Sequence, residues 1–445
     1  MGSDGHELES TLEAILASSP ADETSIFWVE TSRRQASTQR RLDGPATRQR
    51  LAVTVRVVDA GREGYYRAAD GSTGALTEAI RLAIAGSRVA EKLPVVPPSP
   101  QAEVPAVADL FDPAIADLES EQARSLLFGW TEKGEWARLV WTVSKVAVAR
   151  TGRPYRSARV TGASLLVRSG RGPMAGSAAA AARTLAGLEP EAVVARARSR
   201  RATTLAPAGG GHPEGAPGLL WLAAETVGAL TAQLNETLLS ARGFRRQARP
   251  LGLVPGSRCF SPRLDLVDDG SAPGLPLPFD GQGQPRIALE LVRGGELVSP
   301  ALDTLLAAEL ERPRTPHWLA PSEVRANHLV VKPTGAQPGE LARQAEGGIW
   351  LGPIEQLSLP EPGSTRFRAV LRETRRVTEG GVGESLGEHV WEDDLLRVFG
   401  EIEAVGDDPV TLPGDDVLLG GVTAPSMLIR PGGVWREVEA TPEAP

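Results

Sequence analysis

Residues 264 to 285 read LDLVDDGSAPGLPLPFDGQGQP. Asp265, Asp268, Asp269 and Asp280 stand there among glycines and prolines, directly after an alternating apolar run. The order D-x-[DN]-x-[DN]-G with a later Glu is missing, so the stretch is no EF-hand calcium loop. No Gly-Lys-Ser/Thr comes after it that would make it a phosphate cradle. Asp side chains accept from nearby backbone N–H groups and Gly takes up positive φ, so the residues describe a structural turn.

Outward from this turn the chain is strand-rich. SRCFSPRLDLVDD leads into it, and IALELVRGGELV, NHLVVKP, GIWLGPIEQLSL, TRFRAVLRETRRV, LRVFGEIEAVG and PSMLIRPGGVWREV lie beyond it. Upstream, LLWL reads as a strand, and Val227, Leu230, Leu234 and Leu238 repeat at helical spacing. A β-rich, mostly antiparallel C-terminal domain is expected over 216–438, with a disordered tail at 439–445. The flexible break APAGGGHPEGAPG precedes it.

Nearer the N-terminus, Leu8, Leu12, Ile15 and Leu16 mark a first helix, and TSIFWVETSRRQAS reads as a strand. Alternating Leu51, Val53, Val55 and Val57 precede a Gly-containing turn and predict a hairpin, and Leu76, Ile80, Ala83 and Ile84 a second helix. This gives an N-terminal α+β domain at 1–92. A proline-dense linker, stiff and extended, spans 93–107. A middle domain at 108–210 carries a helix around EQARSLLFGWTEKG, strands at ARLVWTVSKVAVAR and SARVTGASLLVRSG, and an Ala- and Arg-rich helix. The fold class expected is α+β.

Composition narrows function by exclusion. The chain has 445 residues, enough for two or three domains, and a formal net charge of −8, which argues against nucleic-acid binding. No run of about 18 apolar residues spans a membrane. MGSDGHELES has no apolar signal core, and the single Cys259 suits a reducing compartment, so a cytoplasmic setting is expected. Arg258 beside Cys259 would lower the thiol pKa, but no histidine lies close in sequence and a buried, inert thiol is expected. No G-x-S-x-G elbow occurs, and no two of His6, His212, His317, His328 and His389 are four residues apart. An alternative site would have to draw on His212, Glu225 or His389. His212 lies in a Gly/Pro loop, and His389, if on a strand, shares a face with Trp391 and Asp393.

An ordered series of segments resembles the TldD/PmbA family. LAVTVRVVDAGREGYYRAADGSTGALTEAIRLAIAGSRVAE is similar to its N-terminal signature. The stretch at 264–285 is similar to its Asp-Asp, Pro-Gly and Phe-Asp turn, with Asp268, Asp269, Gly274 and Asp280 as the fingerprint. LELVRGGELVSPALDTLLAA is similar to the family's continuation of that turn. ANHLVVKPTGAQPGELARQAEGGIWL, with Asn327 and Gly348, and TRFRAVLRETRRVTEGGVGESLGEHVWEDDLLRVFGEIEAVGDD extend the series. VAVARTGRPYRS stands where the family has an Asn-Ser turn, which makes the middle domain the weakest match.

In the catalytic TldD branch a strand leads into a helix bearing HExxxH, and a later cysteine completes a zinc site. Around Ala223 to Gly228 this chain has Glu225 and no histidine, and GDDPVTLPGDDVLLGGVTAPSMLI has no cysteine. The resemblance therefore implies the PmbA/TldE branch: no catalytic or metal residues and no cofactor in this chain, with zinc in a TldD-like partner. It implies a complex that cleaves small unfolded peptides, in which this chain helps enclose and hold the substrate. A homodimer that binds peptide as a scaffold is the alternative partner arrangement.

Overall fold

In the computed structural model, residues 3–39, 47–97, 103–206, 218–320, 323–361, 363–379, 381–415 and 418–438 are described. His212 and the 439–445 tail lie outside them. Strands β1 (Glu23–Ser37), β2 (Thr47–Asp59), β3 (Arg62–Arg67), β4 (Trp136–Arg150), β5 (Arg153–Ser169) and β6 (Gly176–Ala182) form one antiparallel sheet in the order β3-β2-β1-β4-β5-β6. β1 pairs with β4 from Ser25–Arg150 to Ser37–Arg138. The units on either side of the proline-dense segment therefore share a single sheet.

Strand alternation gives this sheet two faces. At one end Ile26, Trp28, Val53, Val55 and Val57 pack under helices α1 (Ser3–Ser18) and α2 (Thr73–Ser87). At the other, Leu139, Trp141, Leu165 and Val167 pack under α3 (Pro113–Ala116), α4 (Ser120–Trp130) and α5 (Pro190–Ser199). In the Ala- and Arg-rich stretch the α-helix is α5, preceded by a 3-10 turn at Ala186–Leu188. Ala178 to Ala182 belong to β6, because tertiary contact overrides alanine's helix preference. At its start β6 is crowded: a Cβ at Gly176 would collide with the backbone at Ala197 and Arg200.

The opposite face of the sheet meets the C-terminal unit through Val146, Val148 and Val160 against Leu277 and Phe279. There β7 (Leu220–Leu222), β14 (Ile349–Leu351), β16 (Arg366–Thr378), β17 (Gly381–Asp394), β18 (Ile402–Val405), β21 (Met427–Ile429) and β22 (Val434–Glu437) run in the order β18-β21-β7-β14-β16-β17-β22, with β15 (Ile354–Ser358) on β16. A second sheet orders β8 (Leu266–Asp268), β9 (Leu289–Arg293), β10 (Glu296–Leu297), β13 (His328–Val331), β19 (Val410–Pro413) and β20 (Gly421–Ala424) as β10-β9-β8-β13-β20-β19. Pairing is mostly antiparallel; β7 with β14 and β13 with β20 are parallel. A short pair, β11 (Trp318–Ala320) and β12 (Glu323–Val324), stands apart.

Helix α6 (Ala224–Leu234) supplies Val227, Leu230 and Leu234 to the core that both C-terminal sheets share. The expected helical stripe continues to Leu238 in a wider π-helical turn at Asn235–Leu239. The two layers are locked by buried Arg183, just past β6. Its guanidinium donates to the carbonyls of Thr161, Leu275, Pro276 and Leu418. Burial pulls its pKa down to about 9, more than the Asp415 charge raises it. Among the described residues no helix is long and apolar enough to cross a membrane.

Candidate functional site

The Asp-rich turn begins where β8 ends, at Asp268, which is fully buried. Its carboxylate accepts from Arg286, from His317 Nε2–H at 2.7 Å and from the backbone N–H groups of Asn327 (2.9 Å) and His328 (2.7 Å). Burial alone would raise its pKa; the Arg286 charge and the other donors outweigh that and hold it well below the usual carboxylate range. One side chain thus ties together β8, the segment after the turn, the entry to β11 and the start of β13.

Asp269 Oδ1 accepts from Ser271 N–H (2.8 Å) and its hydroxyl (2.7 Å). Buried Asp280 accepts from the backbone N–H groups of Gln282 (2.9 Å), Gln284 (2.8 Å) and Trp318 (3.2 Å), and its burial pushes the carboxyl pKa up. His328 Nδ1–H donates to the Asp269 carbonyl at 2.7 Å while Nε2 accepts from Leu275 N–H at 3.4 Å. Burial lowers the pKa of that imidazole. Gly274 has φ +128°, and a Cβ there would stand 2.6 Å from His328 Nε2. The acids of this stretch are therefore engaged in holding the turn and tying it to the segments around it.

The turn walls two cavities. One, of about 590 Å³, lies against Asp280, Gln282 and Gln284 on one side and Glu63, Arg242 and Arg314 on the other. The second, of about 650 Å³, is a cleft between the face of β1–β3 and the C-terminal unit. Its floor is Phe27, Val29, Tyr65 and Ala52; Leu277, Leu319 and Leu419 face them. Tyr65 stacks on Trp318 with centroids 6.1 Å apart, and both side chains line the first cavity, with Tyr65 shared by the second.

At the start of α6, Glu225 is buried and grips Arg200 with both oxygens, at 2.8 and 3.0 Å. Glu225 Oε1 also accepts from Ala179 N–H at 3.3 Å. Burial opposes its ionisation, but Arg200 more than compensates and lowers the pKa. Gly228, one turn on, faces Leu412 so closely that a Cβ would lie 2.5 Å from it. These residues do not fit a zinc ion: Ala223, Ala224, Thr226, Val227 and Gly228 offer no imidazole or thiolate, and the one carboxylate is held by an arginine. His389 lies elsewhere, buried in β17, with Nδ1 bonded to Thr374 Oγ1 at 2.9 Å and its ring edge-on to Trp435. Glu225 and His389 join no group of three metal-binding side chains among the described residues. Cys259 is half-buried and its thiol is pushed up to about 11 by that burial, while Arg258 leans towards Glu296 (4.0 Å). The neighbouring arginine does not activate it.

Sequence reasoning missed Arg183, Arg200 and Arg286, which organise all of this. In a chain so rich in arginine nothing local distinguishes them.

Residues 220–434 match the model of the PmbA/TldA metallopeptidase C-terminal domain. That domain, the C-terminal part of the chain, is of the TldD/PmbA family. Its fold is that of a protein described as a modulator of DNA gyrase from Thermotoga maritima, with a TM-score of 0.75 at 16% identity, covering 97% of this chain and 100% of that one. It is likewise that of TldE from Thermococcus kodakarensis, with a TM-score of 0.74 at 15% identity, over 96% and 99%. A protein from Bacteroides thetaiotaomicron, also described as a modulator of DNA gyrase, has the same fold, with a TM-score of 0.71 at 14% identity, over 98% and 99%. No curated protein matches the sequence. Family and fold thus agree with what the resemblance implied.

Proposed function

We propose that this chain is a PmbA/TldE-like, non-catalytic subunit of a metallopeptidase complex that processes small unfolded peptides in the cytoplasm. The observation that carries the reading is the state of Glu225. On the helix where the resemblance places HExxxH, the one acid present is sequestered by Arg200, and the next turn is closed by the contact of Gly228 with Leu412. Hydrolysis then belongs to a TldD-like partner bearing HExxxH. This chain contributes enclosure and a peptide-holding surface, for which the 650 Å³ cleft is of suitable size. Likeness to TldE from Thermococcus kodakarensis supports the branch.

The test mixes the purified chain with an HExxxH-bearing subunit from the same host. Native mass spectrometry should show a hetero-oligomer, and cleavage of a quenched-fluorescence peptide should need both chains. A chain that stays homodimeric in the presence of that subunit, or that cleaves peptide alone, sinks the reading.

A further inference from the structure

The floor of the cleft is a ladder of three strands whose inward residues fall into rows. Phe27 stands opposite Thr54, which stands opposite Arg67; Val29 is opposite Ala52, and Thr31 opposite Arg50. All of them line the cleft. The centre is therefore apolar and uncharged, while an arginine marks each end.

The other charges of the lining are engaged. Arg325 pairs with Glu236 and with Glu323, and Asp415 Oδ1 accepts from Leu419 N–H at 3.2 Å. Arg50 and Arg67 are exposed, and neither has an ion pair among the described residues. Two cations with no ion pair among the described residues, at the ends of an apolar trough, call for an occupant with two anionic groups and a greasy middle.

Spacing selects the occupant further. Arg67 is level with Thr54, and Arg50 lies four residues back along β2. At ~3.3 Å per residue the two rows are about 13 Å apart, the span of residues i and i+4 in an extended chain. Residue i+2 of such a chain projects to the same side and meets Val29 and Ala52. A lone C-terminal carboxylate satisfies one arginine, whereas two acidic side chains satisfy both.

We infer that this cleft binds an extended peptide with acidic side chains at positions i and i+4 and an apolar one at i+2, the acids on Arg50 and Arg67 and the apolar residue over Val29 and Ala52. This deepens the peptide-holding role proposed above and rests on it.

The probe is a fluorescein-tagged, C-terminally amidated peptide containing Glu-Ser-Leu-Ser-Glu, titrated by anisotropy with the full chain. Replacing both acids by glutamine, or moving them to adjacent positions, should weaken binding at least tenfold. Arg50→Gln and Arg67→Gln should each cost about 5-fold, as expected for exposed charge pairs, and each should make binding less sensitive to salt. Ala52→Glu, which sets a carboxylate in the middle of the floor, should abolish binding; thermal melts of each variant check that the fold persists. Absence of binding, equal binding of all three peptides, or full binding to the Arg50→Gln/Arg67→Gln double variant overturns the inference. Assembly with the HExxxH-bearing subunit is measured separately, so loss of the cleft assignment leaves the subunit reading standing, and the reverse.

Discussion

Asp268 and Glu225 are both buried carboxylates gripped by arginine, yet they do different work. The donors to Asp268 come from Arg286, His317, Asn327 and His328, all within the C-terminal unit. Glu225 is held by Arg200, which comes just after α5 and lies over the ring of Trp350 across the layer boundary. Asp268 therefore makes one unit cohere, whereas Glu225 fastens two units together. In doing so Glu225 gives up any role as a free acid. The difference shows how a position that the resemblance links to metal chemistry becomes a structural rivet.

That contrast is breakable by experiment. The largest effect is expected at Asp268→Asn, which leaves Arg286 and His317 buried without an anion. Chemical denaturation should show about 3–5 kcal/mol lost, or no folded C-terminal unit. Glu225→Gln should cost about 2–3 kcal/mol, part of it recovered in the Glu225→Gln/Arg200→Gln pair, because the second change removes the orphaned charge. If Glu225 acts between layers, limited proteolysis of this variant should release the two units; unchanged digestion would refute the rivet.

Gly274→Ala meets both a positive φ and the His328 ring, and a loss of about 1–3 kcal/mol is expected from thermal melts. A smaller effect separates the imidazole from the carboxylates. The folded pKa of His328 is lowered, so its contribution is fully present above the unfolded value of about 6.5 and fades as pH falls through the folded one. Asp268, also lowered, keeps its contribution until pH falls below about 4. The His328 share of the stability should decline from pH 7 to 5, opposite in sign to that of Asp280, so His328→Gln should remove that decline from the profile.

Much of the fold was legible because it arises from period. Alternation at Val53, Val55 and Val57 and the helical stripes at Leu76 and Val227 predicted elements that the structure contains. The Asx hydrogen bonds of the Asp-rich turn are likewise local, from Ser271 N–H to Asp269 and from Gln282 N–H to Asp280. What was not legible is what pairs across distance. The proline-dense stretch looked like a separator, but β1 and β4 join across it. The alanine run reads as helix until α5 and the 275–277 segment press on it from both sides.

The sequence by itself determined the α+β class and the lack of imidazole and thiolate around Ala223 to Gly228. These depend on residue type and short spacing. Tertiary structure alone decided that Arg200 takes Glu225, that Arg183 staples the layers, and that Arg50 and Arg67 end one cleft. Each of those depends on residues that are far apart in the chain, where charge and burial are set by neighbours the sequence does not place.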